Sequence, residues 1–157
     1  KWQNDSLYGA ADTMDDGARK LDRSAFFGSI HGTLNHILWG DRMWMSRFAG
    51  SAKPTQPSFA GSVEECGEWS DLKSAREQMD QAINDWATGL DDERLASDLS
   101  WFSGALQADV SKPMWMLVSH FFNHQTHHRG QVHAMLTSAG AKPDDTDLFI
   151  MPDPYLS

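Results

Sequence analysis

The chain has 157 residues, 40% of them hydrophobic and 11% aromatic, with a formal net charge of -9. This composition supplies a core and excludes a disordered chain, and the acidic balance with no basic cluster argues against nucleic acid or a membrane surface as partner. A single cysteine, Cys66, excludes an internal disulfide, and no apolar run approaches the ~20 residues of a membrane span, so one cytoplasmic domain over residues 1–157 is expected.

Residues 2 to 19 predict a first helix, weakly patterned, with Trp2, Leu7, Ala11 and Met14 as its apolar positions. The opening KWQN already looks helical and carries no cap, so the sequence is expected to begin inside a helix. A second helix is expected from a Ser24 cap through AFFGSIHGTLNHILWGDRMWMSRFAG to a stop at Gly50. At about 100° per residue, Phe27, Ile30, Leu34, Ile37, Met45 and Phe48 make one broad stripe. Trp39, Met43 and Trp44 lie outside it, and a helix apolar on more than one side is buried on more than one side. The surplus points to the long loop, the tail or a second subunit, and a homodimer is expected.

A loop with Pro54 and Pro57 fills residues 50 to 68. The third helix starts near Ser70 and Asp71, and Leu72, Ala75, Met79, Ala82, Ile83 and Trp86 carry its beat to Gly89. DLSWFSGALQADV, residues 98 to 110, predicts a small hairpin around its Ser-Gly turn. Ser111 as cap and Pro113 in the first turn open the fourth helix, which runs to Ala139 with Gly140 beyond it. The tail, with three prolines, is expected to be extended. Four amphipathic helices bury their faces in an all-α four-helix bundle.

The fourth helix holds five of the seven histidines in HFFNHQTHHRGQVHAML: His120, His124, His127, His128 and His133. With His124 at 0°, His128 falls at about 40°, His120 at about -40°, Gln131 at about -20°, and Leu117 and Met135 at about 20°. The ladder of His120, His124 and His128 therefore shares a face with apolar residues. Imidazoles at i and i+4 can converge on one transition-metal ion, and a third ligand would come from another helix. The second helix offers His31 and His36. Three imidazoles leave a coordination position for water or substrate. Spacing alone leaves this site and a set of hydrogen-bonded core histidines equally open.

NHQTHHRGQVHAML, followed by SAG and PDDTDL, resembles the C-terminal signature of the DinB family of metal-binding four-helix bundles. SIHGTLNHILWGDRMWMSRFAG resembles its second-helix signature, and KWQN resembles the end of its first-helix start. The resemblance implies a divalent metal, zinc or nickel, held by His36, His124 and His128, with His31 as the fallback for His36. It also implies a small-molecule substrate and metal-dependent chemistry of the thiol-dependent transferase or hydrolase type, with a low-molecular-weight thiol as cosubstrate. The alternative is a noncatalytic metal-binding or stress-response protein that uses the same site.

Asp41 and Gln131 are the candidates for a catalytic role. Asp41 would accept a proton, orient an imidazole or enter an ion pair, and Gln131 would hold a ligand in place. Arg129, off the histidine face at about 140°, reads as an ion-pair partner. His120 reads as a support to the ligands or a core residue, and His127 and His133 as surface or interface residues. Cys66, in the loop, is a poor ligand.

Overall fold

Four amphipathic helices need a shared core, and α1 (Trp2–Asp12), α3 (Ile30–Phe48), α4 (Trp69–Thr88) and α6 (Met114–Ser138) supply one. These bounds come from a computed structural model, which describes residues 1–156. Helices α3 and α6 pack along each other, with α4 against α3 and α1 against α6. Leu7, Ile30, Leu34, Leu72, Phe121 and Leu136 are among the residues closed off between them. Phe48 stacks on Trp86 at 5.0 Å and meets Phe121 edge-on at 5.8 Å, joining α3, α4 and α6 at one end.

The first predicted helix is broken in two. The chain leaves α1 after Asp12, and Asp15 caps a short α2 (Asp16–Lys20) by accepting from the Ala18 amide at 2.7 Å. An aspartate that caps well competes with helix continuation, which the weak apolar pattern there does not resist.

The second helix starts later than expected. Ser24 does not cap it: Ser24 and Gly28 take positive φ values of 56° and 72° in a tight turn closed by an Ala25–Gly28 bridge. Ser29 caps α3 instead, accepting from the Gly32 amide at 3.0 Å. Phe26 and Phe27 thereby leave the helix and sit in the loop before it. The predicted stop holds, with Gly50 at φ 68° just past Ala49.

The third helix runs from Trp69 to Thr88, as its periodicity indicates. A one-turn helix α5 (Asp92–Ala96), not foreseen, follows under an Asp91 cap. The hairpin is present as β1 (Asp98–Ser103) and β2 (Ala108–Pro113), antiparallel, with Ser100 opposite Ser111. It extends further than expected and takes Ser111, Lys112 and Pro113 into β2. The fourth helix therefore begins at Met114 without a side-chain cap, because Ser111 pairs across the hairpin, its Oγ 2.9 Å from that of Ser100. Its end is as expected, with Gly140 at φ 86°.

The tail is extended apart from two short 3-10 turns, Leu148–Ile150 and Asp153–Tyr155. It is pinned to α1 by bonds from Gln3 to the Thr146 carbonyl, from the Asp144 amide to Ser6 and from Tyr155 to Asp5. Two of the surplus apolar side chains of α3 meet partners within the chain. Trp39 donates to the Gln56 carbonyl of the loop, and Trp44 packs on Trp101 of the hairpin. No helix among the described residues is long and apolar enough to cross a membrane.

Candidate metal centre

Where α3 crosses α6, three histidines meet. His36 comes from α3, and His124 and His128 lie one turn apart on α6. One ring nitrogen from each falls within 4.8 Å of the other two. The Nε2 atoms of His36 and His124 are 3.1 Å apart. Two nitrogens bound to one tetrahedral ion at about 2.0–2.1 Å stand roughly 3.3 Å from each other, so this pair is already at ligand spacing.

The opposite ring nitrogens of His36 and His128 are occupied. His36 Nδ1 lies 2.9 Å from Ser62 Oγ, and Ser62 is fully buried. His128 Nδ1 lies 2.8 Å from Gln131 Oε1. An amide oxygen only accepts, so His128 carries its proton on Nδ1 and keeps a lone pair on Nε2. Orienting bonds of this kind are what a metal-ligating imidazole needs on its far side.

The environment keeps the rings neutral. Burial, reinforced by His124 and His128, pulls His36 down to about 3. Burial, then His128, His120 and His127, pulls His124 down to about 4. His128 is also lowered, chiefly by burial. A neutral imidazole is the ligating form, so the three are ready to bind without first losing protons.

Two glycines make room for this arrangement. A Cβ on Gly40 would lie 3.0 Å from His124 Cε1, so the bare α3 backbone is the seat of that ring. A Cβ on Gly32 would come within 2.6 Å of the Phe27 carbonyl oxygen. Its absence lets the preceding loop lie on α3 and lays Phe27 flat over His36 at 3.8 Å. On another side, Phe59 meets His36 edge-on at 5.4 Å. The loop behind Ser62 is anchored by buried Glu65, which accepts from the amides of Thr55 and Gln56 and pairs with Arg42. Burial works to raise the Glu65 carboxyl, but these donors hold it below the usual range. Asn35 adds a further tie, accepting from the Cys66 amide.

A family model described as the DinB family matches residues 1–154. The chain belongs to the DinB family. Protein DinB of Bacillus subtilis (strain 168) is 24% identical over 155 residues, which cover 95% of this chain and 88% of that one. A crystal structure of a DinB-like protein from Bacillus cereus ATCC 10987 superposes with a TM-score of 0.54 at 18% identity. That superposition spans 93% of this chain and 91% of the other, and it shows the shared fold.

Within this DinB fold the remaining sequence candidates separate. Gln131 touches a cluster histidine, and through its Nε2 it also meets His127. Asp41 turns elsewhere: its two carboxylate oxygens accept from Arg76 and Gln125, deep in the bundle. His31 also points away from the cluster, bonded to Asn35 and near Trp69. His120 is exposed and packs on Trp44 beside His124, rather than in the core. His127 is exposed, and His133 is half-buried facing α1 and the tail. Among the described residues Arg129 forms no ion pair, and it bonds Gln125 and Thr126 instead. Cys66 is bonded through its backbone to α3, with burial raising its thiol. Sequence reasoning missed Ser62, Gly40 and Phe27. Only Gly40 carried a signal, as a glycine inside a strong helix.

Proposed function

We propose that His36, His124 and His128 hold a divalent cation, zinc or nickel, and that the protein is a metal-dependent transferase or hydrolase acting on a small molecule, with a low-molecular-weight thiol as cosubstrate. The observation that carries this reading is the convergence of three neutral imidazoles, two of which, His36 and His128, have their far nitrogens held by Ser62 and Gln131. An ion bound there would polarise a carbonyl or draw the pKa of a thiol or water toward neutrality.

The chain's own groups would perform the remaining tasks. Ser62 and Gln131 fix the tautomer and tilt of His36 and His128. Phe27 shields His36 from water, which strengthens electrostatic effects at the cluster. His124, the least buried of the three, faces the approach from solvent.

A second reading, a noncatalytic metal-binding protein, has one observation in its favour. Asp41 is consumed by Arg76 and Gln125, and among the described residues no carboxylate bonds to the three histidines. A proton carrier would then be a histidine or the substrate itself.

Elemental analysis of purified protein, followed by zinc and nickel titration, tests the site. One equivalent of ion is expected, lost in His128→Ala with helicity unchanged. Full occupancy in that variant would remove His128 from the ligand set. Turnover of a thiol with an electrophile, or of an ester, would decide for the enzyme, and an inert loaded protein would favour the second reading.

A further inference from the structure

From the aromatic rings around the histidines we infer that the site takes substrates with a flat apolar group, such as a phenyl ring, next to the atom that binds the cation. The inference rests on the metal-binding reading above and names the substrate class that the site would admit. His36 and His128 are closed off from solvent, with 1% and 8% of their surfaces exposed. The rings at that boundary are not closed off. Phe59, edge-on to His36 at 5.4 Å, is 56% exposed, and Phe26, edge-on to Phe27 at 4.9 Å, is 74% exposed.

Phe27 links the two. It stacks on His36, meets His128 edge-on at 5.2 Å and lies 5.7 Å from Phe59. Trp39 closes the far side of His36, 6.4 Å from Phe59. The result is a collar of four aromatic rings whose inner members touch the histidines and whose outer members face water. Leaving two phenylalanines in water is unfavourable, and an apolar surface exposed beside a polar site is the signature of a ligand pocket.

The chemistry of the collar sets the ligand. None of the four rings carries a charge, and the only hydrogen-bonding group among them, Trp39 Nε1, is already spent on Gln56. Nothing in the collar rewards a charged or sugar-like substituent. A flat apolar group would cover Phe59 and gain both burial and edge-to-face contact. The loops that carry Phe26, Phe27 and Phe59 are tied down by Glu65 and by the turn at Gly28, so their backbone is set before a ligand arrives.

Two small chelating probes test this on zinc-loaded protein by calorimetry: acetohydroxamate, with a methyl group, and benzohydroxamate, with a phenyl group. The phenyl probe should bind at least about tenfold more tightly. Phe59→Ala should cut that ratio to about twofold, with acetohydroxamate and zinc affinities unchanged, and Phe26→Ala should reduce it by a smaller factor. Equal binding of the two probes by wild-type protein would overturn the inference while the metal site stood. So would a preference that survives in Phe59→Ala, or self-association of the wild type that Phe59→Ala abolishes. Failure of the protein to bind zinc at all would show up first, in the titration, and would remove the reading and the inference together.

Discussion

Ser62 and Gln131 show how much of this site depends on groups that would never touch an ion. Each holds the Nδ1 side of one imidazole, and without it the ring is free to rotate or to adopt the other tautomer. Ser62→Ala and Gln131→Ala should each weaken zinc binding by about 10-fold to 100-fold with little change in helicity, as measured by competition with a coloured chelator. Unaltered affinity in both would mean that the rings are positioned by packing alone. Proton competition is a second matter at this scale. An ordinary histidine protonates near 6.5, but in the fold His124 is held down to about 4 and His36 to about 3. Bound zinc should therefore persist below the ordinary histidine range, because all three rings resist protonation. The same shift acts on the metal-free protein in the opposite sense. The unfolded chain takes up protons from about 6.5 downward while the folded chain refuses them, so apo stability should fall as pH drops through that window. A metal-free melting temperature that does not change across it would contradict the buried, neutral state of these rings.

At the scale of elements, the site is a crossing, and Gly40 is where α3 gives way to α6. A glycine inside a helix costs about 1 kcal/mol relative to alanine, so Gly40→Ala ought to stabilise α3. Its Cβ would press on His124 at 3.0 Å, and the ring would have to shift by a few tenths of an ångström. The expected outcome is a split: apo stability unchanged or higher, zinc affinity lower by about tenfold. A variant that binds as tightly as wild type would show that the imidazole has slack. The helices themselves were legible because Leu72, Met79 and Ile83, or Leu117, Phe121 and Met135, repeat at helical spacing. The boundaries at Ser24 and Ser111 were not, because both serines have cap chemistry and both are used in other local structure, a tight turn and a strand pair. The histidine ladder was legible in direction but not in depth. The buried stripe of α6 is centred nearer Phe121 and His128 than His124, so the ladder climbs from buried His128 to exposed His120. Of the collar, Trp39 was legible as a surplus apolar residue and Phe27 only as part of a helical stripe, because the places of Phe26, Phe27, Phe59 and Ser62 depend on loops folding back over α3.

Across the whole molecule, the four long helices share one buried polar network. Arg76 of α4 donates to Asp41 of α3 at 2.6 Å and pairs with Asp80 of its own helix at 2.8 Å. Asn4 of α1 donates to Asp80, and Gln125 of α6 donates to Asp41. All five residues are at most 4% exposed. Gln125 lies between His124 and His128 in sequence, so the network also sets how α6 presents its histidines. The two carboxylates keep Arg76 charged against the effect of burial. Arg76→Ala would leave two buried carboxylates without their ion-pair partner, which costs about 3–5 kcal/mol and lowers the melting temperature by on the order of 10 °C. The pH dependence separates this cause from simple loss of volume. An unpaired buried carboxylate takes up a proton more readily folded than unfolded, so the deficit of the variant should shrink as pH falls toward about 4. Comparing wild type and Arg76→Ala at each pH cancels the histidine contribution common to both. A deficit that stays constant with pH would mean that Asp41 and Asp80 find other partners, and that the guanidinium serves as packing rather than as the charge at the centre of the bundle.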